Sequence, residues 1–219
     1  MKKVNCYIDG FNLYHSAFKR HIVHIDGNPE RVGWPELRWQ NLRVLMEQFI
    51  VPEKETIGQI YYFSAVAEWL PSKAEKHHRY IEALKTQNIL PILGKFKEKE
   101  KKCQATCKEI FISHEEKESD VNVAIYMLSD LLLDKCETAY LISGDSDMKP
   151  AILLAKKLCP NKRIGLIIPP YQKASDLRNS VDFFKKVTKN HLKKSLLPRE
   201  IISGNEIIQA PINWLPNVE

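Results

Sequence analysis

Asp9 directly follows an apolar run at 4–8, within Tyr7-Ile8-Asp9-Gly10-Phe11-Asn12. Asp145 and Asp147 directly follow another at 139–142, within Ser143-Gly144-Asp145-Ser146-Asp147. Asp120 opens an amphipathic stretch behind Ser119, which is expected to serve as its N-cap. If the apolar runs are parallel strands, their carboxyl ends share one sheet edge, where such folds place ligand sites. The carboxylates then converge, and like charges in one crevice need a counter-ion to stay ionised. A hard divalent cation with oxygen ligands, Mg²⁺ or Mn²⁺ rather than zinc, suits the set. Such a centre suits in-line attack of water on a phosphodiester, and Asn12 could hold a water or phosphate oxygen through its amide. Taken singly, each Asp is a common turn or cap residue. The weight lies in Asp9 and the Asp145/Asp147 pair falling at two strand ends.

Short runs rich in Val, Ile and Tyr alternate along the chain with longer amphipathic stretches, the pattern of a parallel α/β fold. Strands are expected at 4–8, 57–63, 89–93, 139–142, 163–168 and around 181–184. Helices are expected at 34–50, at 72–87 with a Ser72/Glu75 capping box, at 120–133, at 148–158 and, rich in lysine, at 185–196. Residues 94–118, dense in charge, break this rhythm and read as a hairpin excursion, with the alternating signs of 95–102 giving a solvated surface. The tail after the basic helix reads as irregular. The expected organisation is a nuclease-like unit over 1–170, carrying the excursion at 94–118, and a basic extension over 171–219 packed on it.

Length and composition narrow the class. The 219 residues are 44% hydrophobic and 27% charged, the balance of a globular chain. No apolar run approaches the ~20 residues of a membrane span, and no secretion signal opens the sequence, so a cytoplasmic protein with free thiols at its five cysteines is expected. The net charge of +6 is local: from 173 to 199 eight basic residues face Asp176 and Asp182, and the rest of the chain balances. Lys173, Arg178, Lys185, Lys186, Lys189, Lys193 and Lys194, with Phe183, Phe184 and His191 among them, are candidates for contact with a polyanion backbone. A solvated helix face is the competing account.

Three segments together resemble a known family. Tyr-Ile-Asp-Gly-Phe-Asn at 7–12, Glu-Glu-Lys-Glu-Ser-Asp-Val-Asn at 115–122 and Leu-Ile-Ser-Gly-Asp-Ser-Asp-Met-Lys-Pro at 141–150 are similar to the signatures of NYN domains, in particular the LabA-like branch. The match runs in order over about 3–170. Met148 stands where members often carry Phe, a difference of packing. The resemblance implies a PIN-like, Rossmann-like three-layer fold and a ribonuclease using Mg²⁺ or Mn²⁺. It implies metal-site roles for Asp9, Asp120, Asp145 and Asp147, with Asn12 in support, and single-stranded RNA as partner; a homodimer would be unsurprising.

Other readings stay open at this point. Gly144-Asp145-Ser146 also resembles haloacid dehalogenase phosphatases, whose nucleophilic Asp follows the first strand, here Asp9; their general acid, two residues later, would be Phe11. A non-catalytic RNA-binding module should have lost an acid, and none of the four is missing. A single Gly10 after the first strand does not make a dinucleotide-binding turn. Cys103, Cys107 and His114, with His77-His78, invite a zinc reading, although structural zinc usually shows tighter pairs and four clear ligands.

Overall fold

A computed structural model describes residues 1–103 and 108–216 of the chain. Twelve strands lie among them: β1 (Lys2–Asp9), β2 (His21–Ile25), β3 (Asn28–Val32), β4 (Glu55–Ser64), β5 (Ile89–Leu93), β6 (Lys95–Lys102), β7 (Ile110–Lys117), β8 (Thr138–Ile142), β9 (Arg163–Ile168), β10 (Phe183–Lys186), β11 (Glu200–Ser203) and β12 (Glu206–Gln209). The helices are α1 (Gly10–Leu13), α2 (Leu42–Glu47), α3 (Pro71–Lys85), α4 (Ser119–Leu132), α5 (Lys149–Leu158), α6 (Ser175–Arg178) and α7 (Lys189–Lys194).

Six strands form one sheet in the order β10-β9-β8-β1-β4-β5, every neighbouring pair parallel. The chain winds from β1 outward to β5, returns to β8 on the other side of β1, and winds outward again to β10. This is the doubly wound Rossmann order, and its switch point lies between the carboxyl ends of β1 and β8.

The period of two along each strand sorts side chains between two cores. Val4, Cys6 and Ile8 of β1 join Ile60, Tyr62, Tyr140 and Ile142 on one face, beneath α2, α3 and α7. Tyr7 joins Tyr61, Phe63, Ala139 and Leu141 on the other, beneath α4 and α5. Helices on both faces of a parallel sheet make the expected three-layer fold. Two buried acids complete it: Asp130 accepts from Asn5 Nδ2 and Tyr7 OH, both at 2.9 Å, and Glu55 accepts from Tyr140 OH at 3.0 Å.

Several elements differ from expectation for identifiable reasons. The helix expected over 34–50 is broken, because fully buried Trp39 and Gln40 leave the helical path: Gln40 bridges to Leu196, and its Nε2 donates to Leu37 O and Leu192 O. Asn41 then caps α2, accepting from the amides of Arg43 and Val44. The Ser72/Glu75 box is replaced by Leu70 as cap with Pro71 in the first turn. Glu118, in the left-handed region, caps α4 in place of Ser119, whose amide donates to Glu116 Oε1. The basic helix begins only at Lys189, since Lys185 and Lys186 belong to β10. The tail carries the β11–β12 hairpin, and a second hairpin, β2–β3, has no counterpart in the sequence reading. The excursion is the antiparallel β6–β7 hairpin.

Among the described residues, Cys6, Cys103, Cys136 and Cys159 are free thiols, and no helix is long and apolar enough to cross a membrane. One glycine is fixed by space. A Cβ on Gly10 would stand 2.6 Å from the Tyr62 ring and 2.7 Å from Phe63 O, because α1 rests directly on β4. Gly10→Ala is therefore expected to cost about 1–3 kcal/mol, the scale of core overpacking. A lowered midpoint in urea unfolding checks this, and an unchanged midpoint refutes it.

Candidate functional site

Two loops meet at the switch point and are laced by side chains. Asp9, at the end of β1, is 5% exposed. Its Oδ1 accepts from Asn12 N at 2.9 Å, and its Oδ2 accepts from Ser143 Oγ at 3.0 Å. Ser143 Oγ in turn accepts from Asp145 N at 3.1 Å, while Asn12 Oδ1 accepts from Gly144 N at 2.9 Å. Asp145 Oδ1 turns back to accept from Asp147 N at 3.0 Å and caps the 3₁₀ turn Ser146–Met148. Asp120 lies in the first turn of α4, half-buried, and its carboxylate has no hydrogen bond or ion pair among the described residues.

These carboxylates feel one another. Burial pushes Asp9 up to about 6 against the pull of the Asn12 amide and the Ser143 hydroxyl, and the charges of Asp120 and Asp145 add to the rise. Burial also raises Asp120, helped by Asp145, Glu116 and Asp147. The other buried acids have donors: Asp130 and Glu55 are held by hydroxyls and amides. Asp9 and Asp145 also accept hydrogen bonds, but among the described residues no cationic side chain pairs with Asp9, Asp120, Asp145 or Asp147.

The NYN domain family matches residues 3–188, most of the chain, with Asp9, Asp120, Asp145 and Asp147 all inside the matched span. The chain belongs to the NYN domain family. NYN domains are part of the PIN-like superfamily, in keeping with the three-layer sheet. This NYN domain is 23% identical to 6-hydroxy-3-succinoylpyridine 3-monooxygenase HspA of Pseudomonas putida, over 97% of this chain and 75% of that protein. In fold it is similar to a protein of unknown function from Vibrio parahaemolyticus, with a TM-score of 0.52 and 14% identity, covering 90% of this chain and 96% of the other.

The donor set of the NYN domain is all oxygen, from carboxylates, an amide and a hydroxyl, and it is anionic. That chemistry fits Mg²⁺ or Mn²⁺. Among the described residues, however, no three His, Cys, Asp or Glu side chains stand close enough to enclose one ion. The expected meeting at a common atom is thus looser than the sequence pattern implies. Both Asp9 oxygens are drawn into hydrogen bonds, and Asp145 is turned into a cap.

The candidate basic residues spread over β10, α6, α7 and, at Lys173, the loop before α6, with α7 lying just beyond the matched span. Arg178 lies 4.1 Å over the Phe184 ring, Lys189 lies 5.5 Å over Trp34, and Lys185 Nζ donates to Phe49 O. Lys173, Lys186, Lys193 and Lys194 are exposed. Of the zinc candidates, Cys107 lies outside the described residues, and the His114 ring stacks on Trp69 with centroids 3.7 Å apart.

Three residues at the edge were not assigned from sequence. Ser143 links Asp9 to Asp145, and its place inside the Ser-Gly-Asp segment was the available signal. Glu116 adds to the charge on Asp120. Gln172 brings its amide against Gly144, where a Cβ would be 1.5 Å from Gln172 Oε1; nothing local in the sequence marks it.

His77 flanks the same edge, with Nε2 3.4 Å from both Ser64 Oγ and Tyr62 OH. Burial lowers it to about 4, and the His78 charge contributes. A depressed folded-state value means the stabilisation is complete above the unfolded value of 6.5 and is lost as pH falls toward 4. His77→Gln should therefore gain on the wild type by about 3 kcal/mol between pH 7 and 4. Parallel stability curves for the two proteins in urea would rule this out.

Proposed function

We propose that this NYN domain is a divalent-metal-dependent ribonuclease that hydrolyses phosphodiester bonds of single-stranded RNA. The observation that carries the reading is the near-complete burial of Asp9 at the switch point beside Asp120 and Asp145, an accumulation of negative charge that calls for a cation. Family membership supports it, since PIN-like domains are typically nucleases. Asp9, Asp120, Asp145 and Asp147 would hold Mg²⁺ or Mn²⁺ directly or through water, and the ion would supply charge stabilisation at phosphorus and lower the pKa of water. Asn12 and Ser143 fix the two loops so that Asp9 and Asp145 keep their spacing. The basic residues from Lys173 to Lys194 would contact flanking phosphates.

The phosphatase reading lacks support at its deciding position: Phe11 packs edge-on against Phe96 at 5.8 Å, and no acid stands two residues after Asp9 to protonate a leaving group. A second reading is oxygenation, the activity in the name of the Pseudomonas relative, favoured by an alignment spanning 97% of this chain. One assay separates them. Labelled RNA and DNA are incubated with the purified chain in Mg²⁺, Mn²⁺ or chelator, beside a search for oxygen consumption with 6-hydroxypyridines and a nicotinamide or flavin two-electron reductant. Metal-dependent RNA cleavage supports the nuclease; no cleavage with any metal, or oxygen uptake alone, overturns it.

A further inference from the structure

The run Lys95-Phe96-Lys97-Glu98-Lys99-Glu100-Lys101-Lys102 alternates in sign along the sequence, but as strand β6 its period of two separates the charges in space. In the hairpin register, Lys95 pairs with Lys117, Lys97 with Glu115, Lys99 with Ser113 and Lys101 with Phe111. Directly paired residues share a face, so one face of the arm carries five lysines against the single acid Glu115. The other face carries Phe96, Glu98, Glu100, His114 and Glu116, and it turns inward at its base, where Phe96 meets Trp69 edge-on at 4.6 Å and His114 stacks on the same ring. That aromatic anchor fixes which face looks outward.

The lysine face is under-neutralised. Glu115 is shared by Lys101 at 3.0 Å, Lys117 at 3.2 Å and Lys99 at 3.6 Å. Lys95 pairs with Glu118 beyond the strand, and Lys97 has no ion pair among the described residues. Alternate residues of a strand recur every ~6.8 Å, so the ammonium groups form a row. Phe111, 50% exposed, sits beside Lys101 on the same face. Cations at regular spacing with an aromatic among them match a strand of phosphates with unstacked bases. The row also leads somewhere: three residues carry the chain from Lys117 to Asp120, a reach of about 10 Å.

We propose that the lysine face of the β6–β7 arm binds the phosphodiester backbone of a single-stranded nucleic acid and guides it to the acidic edge. The destination rests on the nuclease reading; the binding does not.

The test measures fluorescence anisotropy of a labelled single-stranded RNA 20-mer with the full chain in chelator, from 50 to 200 mM salt. Lys97→Gln/Lys99→Gln/Lys101→Gln should weaken binding about tenfold or more and make the logarithmic salt slope shallower by about 2, at ~0.7 per phosphate contact. Glu115→Gln should tighten binding several-fold, an outcome misfolding cannot mimic. Phe111→Ala should weaken binding without changing the slope. A triple variant that binds with wild-type affinity and slope overturns the proposal, as does Glu115→Gln without tightening. Displacement by polyglutamate as effective as by RNA also overturns it and identifies an acidic polypeptide as the partner. Cleavage by the metal-loaded wild type is scored separately: arm-dependent binding without cleavage sinks the nuclease and leaves the arm, whereas cleavage with an indifferent arm does the reverse.

Discussion

Asp145→Asn is expected to lower metal-dependent RNA cleavage by at least about a hundredfold, since even partners outside the direct ligand shell cost 10–100-fold in metal sites. The substitution is nearly isosteric. Asn can still present an oxygen to Asp147 N, so the 3₁₀ turn and the loop after β8 should stay in place. What is lost is one negative charge at the switch point, and with it part of the attraction for a divalent cation. Stability should change by less than about 1 kcal/mol, because the side chain keeps its one hydrogen bond. Single-turnover cleavage of labelled RNA over a Mg²⁺ or Mn²⁺ titration checks the rate and the metal affinity, and urea unfolding of both proteins checks the stability. Cleavage at the wild-type rate would mean that the activity comes from another site or another protein.

Asp9→Asn should also abolish cleavage, yet make the chain more stable in chelator. The carboxyl is buried beside two other acids and lifted to about 6, well above its unfolded value of 3.8. A raised value places the cost at high pH: it is absent below about 3.8, grows through 6 and is complete at neutral pH, where it reaches about 3 kcal/mol. The amide gives back part of this through weaker bonds to Asn12 N and Ser143 Oγ, leaving a net gain of about 1–2 kcal/mol and a Tm higher by a few degrees for a chain of this size. Mg²⁺ or Mn²⁺ should raise the Tm of the wild type and leave the variant's unmoved. The gap between the two proteins in chelator should close as pH falls toward 4. A variant less stable than wild type at neutral pH would instead make Asp9 a structural anchor like Asp130.

Much of the site's grammar was legible because it is local. Asp9 ends one apolar run and Asp145 follows another by three residues, and here the ends of those runs are the ends of β1 and β8. The sheet strands at 89–93 and 163–168 lie where the sequence places them, for the same reason. Where the expected long helix failed, a long-range contact had overruled a local preference, whereas the caps of α3 and α4 moved for local reasons. Residues 34–50 have helical periodicity, but burying Trp39 and joining Gln40 to Leu192 and Leu196 outweighs one continuous helix.

Residue type and spacing by themselves determined a parallel α/β chain with acids at strand ends, because side-chain period and turn chemistry act over a few residues. Only the tertiary structure decided that β8 lies against β1, so that Ser143 and Asn12 tie together loops 132 residues apart in sequence. It alone also decided which lysines of a mixed-charge run share a face, since that depends on strand register and on the aromatic anchor at Trp69. Charge along a chain is a sequence property; charge across a surface exists only after pairing has assigned each side chain to a side.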